Sequence, residues 1–393
     1  MFSPLTHRFG FNGRLAILLP AADSMTDLTA TLMVPSAFPQ LEADWLGLEQ
    51  RAERSFFQSW VWASTLIEVM GDGIYIIRVT RNDEVVALGI LGAINETRHH
   101  FFRFRQLRLN EIGHGSDDVV QPEYNNLLVA RDDETAAWRA VFSLLDTPDA
   151  PKWDEVILSN TTGELDQIMS PYGWQRYRRT QSGSGYVDLA ALRVAGIDDA
   201  DGYISTLGKS TKGQVRRAFK LYRTRGELTL RRAATVDDAH TAFGELSRLH
   251  TDKWHARNRT GLRDMPLHMQ FHQRLLERAT MSGVVELLTV SVDDEPFAYI
   301  HNFVYRGAVL FNVAGYVPNN DNRLKPGLVA HVLAIEEHLR SGAKRYDFLA
   351  GDDRYKQNLG QAGPDFVGFA VQRARPGIVV EEFLRRAKSR MQR

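Results

Sequence analysis

The chain carries an internal echo. The segments IYIIRVTRNDEVVALGIL (74–91) and VELLTVSVDDEPFAYIHN (285–302) lie about 210 residues apart and read alike: an apolar, β-branched strand, an acidic turn (NDE or DDE) and a second strand. What surrounds them matches too. A tryptophan-rich amphipathic stretch (38–70) precedes the first hairpin, and two helical stretches (237–282) precede the second. Each hairpin is followed by more strand, a helix and a further strand: DETAAWRAVFSLL (133–145) and DEVILSNT in the first half, GLVAHVLAIEEHLRSG (327–342) and RYDFLA (345–350) in the second. A repeat this long is no solenoid; it fits a domain duplicated in tandem. The mixture of helices with strands of both pairing senses gives an α/β fold of α+β type with a mixed sheet. The expected divisions are an N-terminal segment (1–37), a first domain (38–195), a basic linker helix and strand (196–235), a second domain (236–375) and a basic C-terminal helix (376–393).

Composition narrows the function. Of 393 residues, 44% are hydrophobic and 24% charged, ordinary values for a globular chain. The formal net charge is zero, which argues against DNA as a partner. There is no cysteine, so disulfides, thiolate zinc sites and cysteine nucleophiles are excluded together. No apolar run approaches the roughly 20 residues of a spanning helix. LAILLPAA (15–22) stops at Pro20 and Asp23 and reads as a strand or loop, so a cytoplasmic protein is expected, with peripheral membrane association left open.

Three constellations carry candidate chemistry. The first is GYVPNNDNRLKPGLV (315–329), a strand running through a polar turn into a helix. Pro326 pre-sets the first helical turn and Gly327 allows close backbone approach, so the amides of Gly327, Leu328 and Val329, with Arg323 and Lys325 beside them, read as a pyrophosphate site. The second is GDDRYK (351–356), a charged loop at the end of the strand RYDFLA. The third is LHTDKWHARN (249–258), where His250 and Trp254 share a helical face near Arg257. HGSDDVVQPEYNNLL (114–128) adds Asp118 and Glu123 from the first half. Spacings of four and five between histidines lack a supporting carboxylate, so no metal site is expected. The segment KSTKGQVRRAFKLYRTRG (209–226) is basic throughout, with one apolar stripe, and offers itself to an anionic ligand or to tRNA.

The residues from 315 to 360, with their Pro-Gly helix start, DFLAG strand end and Tyr355-Lys356 pair, resemble the C-terminal signature of GNAT-like acyltransferases of the CelD/BcsL type, which are related to the FemAB transferases. The segment 249–276 resembles that family as well, with His250, Trp254, Arg257, Gly261, Phe271 and His272 in the matching places; FFQSWVWASTL and GSDDVVQPEYNNLLV give looser likeness in the first half. The resemblance implies tandem GNAT-like domains, the first degenerate. It also implies acyl transfer from acyl-CoA, acetyl-CoA foremost, to an amino group on a sugar or envelope-polysaccharide precursor. FemAB-like transfer from aminoacyl-tRNA to a cell-wall precursor is one alternative. A non-catalytic regulator that senses an anionic nucleotide is another.

Such a reaction needs a base for the amine, a donor to the oxyanion and a proton for the leaving group. Lys356 suits the oxyanion or a phosphate, a role the resemblance to Fem-type enzymes also implies. Tyr355 suits the leaving group. Asp347, Asp352 and His272 are the candidate bases. His250, Trp254, Arg257, Tyr316, Asp118 and Glu123 are candidate acceptor contacts.

Overall fold

The computed structural model describes residues 21–22, 27–98, 102–114, 118–162, 172 and 174–373. Most of the N-terminal segment and the helix expected over 376–393 lie outside the described residues.

Seven strands of the first half are β1 (Leu28–Met33), β2 (Ile74–Arg81), β3 (Glu84–Arg98), β4 (Phe102–Leu109), β5 (Glu155–Thr161), β6 (Gln175–Ser182) and β7 (Ser184–Asp188). Their counterparts are β8 (Leu228–Arg232), β9 (Val285–Val292), β10 (Glu295–Tyr305), β11 (Ala308–Tyr316), β12 (Arg345–Ala350), β13 (Gln361–Ala362) and β14 (Phe366–Gln372). Helices α1 (Leu41–Arg51), α2 (Trp60–Met70) and α3 (Glu134–Asp146) belong to the first half. Helices α4 (Leu189–Val194), α5 (Ala200–Thr206) and α6 (Lys209–Arg223) follow as the link. Helices α7 (Val236–His255), α8 (Pro266–Ala279), α9 (Pro326–Arg340) and α10 (Arg354–Leu359) belong to the second.

The echo in the sequence is an echo in the fold. β2–β3 and β9–β10 are antiparallel hairpins. Their turn residues, Asn82 and Asp83 in one and Asp293 and Asp294 in the other, all have positive φ. That is the primed turn geometry that follows strand twist, and Asn and Asp bear it more easily than most side chains. β4 pairs with β5 in parallel, and β11 with β12 in parallel, across the helices α3 and α9.

One feature of the topology was not legible in the sequence. The first sheet runs β1-β2-β3-β4-β5-β14-β6, and the second runs β8-β9-β10-β11-β12-β7-β13. The last strand of each half is inserted in the sheet of the other, so divisions drawn at residues 195 and 375 cut across both sheets. The two crossing points touch: Gly363 N–H donates to the Ser184 carbonyl at 3.0 Å, and Ser184 Oγ to the Pro364 carbonyl at 2.7 Å.

A shared apolar layer binds the halves further. Phe56 and Phe57 from the first half meet Phe303 from the second, Phe56 stacked at 4.4 Å, and Trp62 packs edge-on against Phe271 at 4.7 Å. All five are buried. Aromatic side chains of this size dominate core energetics. Two further cores fill the outer faces, one under α3 and one under α6 and α9. No helix among the described residues is long and apolar enough to cross a membrane.

Because neither sheet is complete without the other half's strand, the two halves should unfold together. Calorimetry should give one transition whose calorimetric and van't Hoff enthalpies agree. Two resolved transitions, one per half, would show that the exchange does not couple them.

Candidate active site

β12 is the structural pivot of the second half. Tyr346 and Phe348 face the core under α9, while Leu349 joins the layer between the halves. At Leu349 the strand breaks its pattern, with φ +58 in the left-handed region that non-glycine residues rarely visit. The Asp347 carboxylate holds this turn by accepting the Leu349 N–H at 2.8 Å. Pairing with β7 shifts register at the same place. The polar groups of Ala350 consequently turn to side chains: its N–H donates to Glu123 Oε2, and its carbonyl accepts from Lys356 Nζ.

Tyr355 and Lys356 lie on a short helix, α10, where the sequence suggested a loop. Lys356 is buried, and its ammonium also reaches the Leu349 carbonyl at 3.4 Å. Burial lowers its pKa, while Glu123, Asp353, Asp347 and Asp352 act against that. A third N–H of the ammonium has no hydrogen-bond partner among the described residues. Tyr355 stacks on His331 at 5.3 Å. Burial raises its pKa, so its hydroxyl stays protonated at neutral pH.

The carboxylates divide by environment. Asp347 is buried and fully engaged: Oδ1 takes Leu349 N–H, while Oδ2 takes Tyr124 Oη–H at 2.6 Å and pairs with Arg345 at 2.9 Å. Arg345 also donates to the Tyr124 hydroxyl at 3.1 Å and lies 3.8 Å over the Tyr186 ring. Burial raises the pKa of Asp347 against the pull of Arg345. This carboxylate fixes the strand end and joins the halves. Asp352 accepts the Gly183 N–H at 3.0 Å and pins the turn between β6 and β7. Glu123 differs. It is half-buried, only its Oε2 is engaged among the described residues, and burial pushes it up to about 7. Tyr124 and Arg345 carried no role in the sequence reading, although Glu123 and Tyr124 are neighbours there.

The helix start at α9 is a different cradle from the one expected. Lys325 takes φ +46, and both Leu328 and Val329 donate their N–H to its carbonyl, at 3.0 and 3.2 Å. Gly327 alone keeps a backbone donor without a partner among the described residues. A Cβ on Gly327 would meet the Tyr316 ring at 3.3 Å, so the glycine also makes room for Tyr316. Arg323 is held by Asp321 through two bonds of 2.8 Å and is not aimed at the helix start.

Asp118, an expected acceptor contact, and His272, a candidate base, are taken up by other partners. Asp118 caps α8, accepting from Leu267 N–H at 2.9 Å and His268 N–H at 3.0 Å. That satisfies amides a helix start leaves open. His272 is buried among Phe243, Phe271, His301 and Phe303, its Nδ1 without a partner among the described residues. Burial holds its pKa well below the usual value. His250 is half-buried, held at about 4 by burial, and accepts the Trp254 indole N–H at 2.7 Å. Arg257 is exposed, 5.6 Å from the Trp254 ring centre. No group of three or more histidines and carboxylates among the described residues is arranged to hold a metal ion.

The two halves differ where their parallel strands part. In the first half, β4 and β5 pair only as far as Arg108 and Ile157, and Asn125 fills the gap beyond. Its N–H donates to the Asn160 carbonyl and its Nδ2 to the Leu109 carbonyl, both at 3.0 Å. β11 and β12 likewise pair only as far as Leu310 and Asp347. Among the described residues no segment is stitched between them in that way. A cavity of about 570 Å³ lies elsewhere, between α6 and α9 and lined by Arg223, Glu227 and Glu336, away from these residues.

Residues 209–357 match a family model described as an acetyltransferase (GNAT) domain. No curated protein matches the chain. Among solved structures it is similar to the crystal structure of FemX, with a TM-score of 0.53 and 12% identity over 83% of this chain and 95% of that one. It is similar also to L-PGS from Bacillus licheniformis, with a TM-score of 0.50 and 10% identity over 88% and 96%. A tandem GNAT protein from the clavulanic acid biosynthesis pathway aligns with a TM-score of 0.48 and 12% identity over 88% and 98%. At such identities the likeness is one of fold, and the fold is the mixed α/β, GNAT-like one.

The buried histidines give a test of this packing. Burial lowers the pKa of His272 and holds His250 at about 4 and His301 and His331 at about 3. Below the unfolded value of about 6.5, the unfolded chain takes up protons that the native one refuses, so stability falls with falling pH. Glu123 and Asp347, raised by burial, act in the opposite sense. With His268, also lowered by burial, five groups against two leave the histidines dominant. Urea melts should therefore show stability falling from pH 6.5 to 4; a flat profile would mean these histidines are not buried neutral.

Proposed function

We propose that the second half catalyses acyl transfer to an amine, with the donor held where β11 and β12 part. The observation that carries this reading is the contrast between the gaps: Asn125 closes the first, and none of the described residues closes the second in that way. The GNAT model matching 209–357 supports the same half. The donor is an acyl-CoA, acetyl-CoA foremost, with its phosphates at the start of α9 near Gly327 and Lys325. The acceptor is an amino group on a sugar or envelope-polysaccharide precursor, in keeping with the CelD/BcsL resemblance, and the reaction belongs in the cytoplasm.

The amine nitrogen attacks the thioester carbonyl and yields a proton to Glu123, whose Oε1 has no partner among the described residues and whose pKa burial raises to about 7. The remaining N–H of Lys356 stabilises the oxyanion. As the intermediate collapses, the C–S bond breaks and the thiolate accepts a hydrogen bond from Tyr355. It is then protonated by solvent or by Glu123.

One observation favours a second reading. Lys209, Arg216, Arg217, Lys220 and Arg223 along α6 have no acidic partner among the described residues. Such a strip suits tRNA, and with it aminoacyl transfer of the FemAB kind, with affinity falling steeply as salt rises.

Acetyl-CoA at 100 times its Kd should stabilise the protein by about 2.7 kcal/mol. The rise in melting temperature should vanish in Gly327→Val. With glucosamine as trial acceptor, Glu123→Gln should lose roughly 100-fold or more in kcat, along with the rise in rate between about pH 6 and 8. Lys356→Met should lose kcat at every pH. A response to aminoacyl-tRNA and none to any coenzyme A species would favour the second reading.

A further inference from the structure

The cavity of about 570 Å³ between α6 and α9 shares no residue with the proposed reaction. Its volume suits a small molecule. Part of its lining is apolar: Phe219 of α6, Leu228 of β8 and Leu333 of α9.

Bonds between elements fix its walls. At the start of α5, Asp199 accepts the Gly202 N–H at 2.7 Å, and Ala200 N–H donates to Glu336 Oε1 of α9 at 3.1 Å. Arg340 donates to the same Glu336 oxygen at 2.7 Å. Where α6 gives way to β8, Arg225 N–H donates to the Tyr222 carbonyl at 2.8 Å, and Asp293 N–H to the Glu227 carbonyl at 2.9 Å. A Cβ on Gly226 would meet Asp293 Cβ at 2.4 Å, so only glycine lets the chain pass this close to the hairpin turn. The cavity is thus shaped before any ligand arrives.

Four carboxylates and two guanidinium groups line it. Three of the six are spent within the protein: Asp199 on a helix start, and Glu336 and Arg340 on each other. Asp201, Glu227 and Arg223 have no ion-pair partner among the described residues. Arg223 lies 5.5 Å from the Phe219 ring centre, a contact that leaves its N–H donors unspent. Helix dipoles suit Asp201 in the first turn of α5 and Arg223 in the last turn of α6. Glu227 lies between α6 and β8 and has no such support.

One unspent cation and two unspent carboxylates therefore stand around an apolar wall. A phosphate would bring its charge against Asp201 and Glu227. A diamine would leave Arg223 unmatched, and a simple amino acid would leave one carboxylate unmatched. The complement is one carboxylate and two amines on an aliphatic stem.

We infer that this cavity binds a free dibasic amino acid. Its carboxylate takes the guanidinium fork of Arg223. Its two ammonium groups meet Asp201 and Glu227, and its methylene stem lies against Leu228 and Leu333. The site is one of binding alone and stands apart from the acyl-transfer reading.

Calorimetric titration with L-lysine and L-ornithine tests it. With each go three analogues, lacking the carboxylate, the α-amine or the side-chain amine; for lysine these are cadaverine, ε-aminocaproate and norleucine. At least one of the two amino acids should bind wild type, and each of its analogues about tenfold more weakly, the loss of one charged contact. Asp201→Asn, Glu227→Gln and Arg223→Gln should each weaken the amino acid by about the same factor. All three side chains are exposed, so the variants should fold. In Arg223→Gln the amino acid should lose its advantage over the analogue without a carboxylate.

Failure of both amino acids to bind overturns the site, as does unchanged binding in any of the three variants. An analogue that binds as tightly as its parent overturns the dibasic assignment. Coenzyme A serves as the control. If it displaces the bound amino acid, the cavity belongs to the donor and the inference falls. If coenzyme A fails to bind while the amino acid binds as expected, the acyl-CoA reading fails and this site stands.

Discussion

Two strands change places between the halves of this chain, and most of its organisation depends on that exchange. β7 completes the second sheet and β14 the first, so each half is held in register by backbone bonds to the other. Once the strands have crossed, the ends of β5 and β12 lie against foreign chain, and the segment Pro122–Asn126 is carried to the seam. A duplicated domain joined by a flexible linker would have no such seam.

That segment works in both directions. Asn125 faces its own half and closes the gap between β4 and β5. Glu123 and Tyr124 face the other half and engage the end of β12. Successive residues can do this because Tyr124 takes a positive φ, which redirects the chain between them. The stitched gap of the first half and the contacts at the end of β12 are therefore two sides of a single short loop, linked by chain geometry.

The charges at this seam are arranged by burial. Asp347, with Arg345 and the Tyr124 hydroxyl, is a buried network in which Arg345 Nε keeps no partner among the described residues; networks of this kind fix geometry and cost heavily when partly removed. Glu123 beside it is only half satisfied and sits near neutrality. The two carboxylates thus take different parts, one as a joint and one as a proton acceptor in the proposed reaction, because Asp347 has a guanidinium and a phenol beside its backbone amide and Glu123 has a backbone amide alone.

The sequence by itself determined what depends on neighbours along the chain. Alternation gave both hairpins, with their Asn-Asp and Asp-Asp turns; helical spacing and Gly342 gave α9; and the strand 345–350 is where RYDFLA indicated. The GNAT-like character of the second half was legible in the same stretches. Tertiary structure alone decided what each carboxylate meets. Asp118, Asp352, Asp347 and Glu123 look equally available in a linear chain, yet Asp118 caps a helix start, Asp352 and Glu123 each accept one backbone amide, Asp347 is held by an arginine and a tyrosine, and burial raises Glu123 to about 7. It also decided that His272 is core, that the amides of Leu328 and Val329 are spent on Lys325, and that β7 and β14 cross. The reason is physical: local pattern fixes which face of an element is apolar, but the partner of a polar atom, and the sheet a strand joins, are set by chain hundreds of residues away.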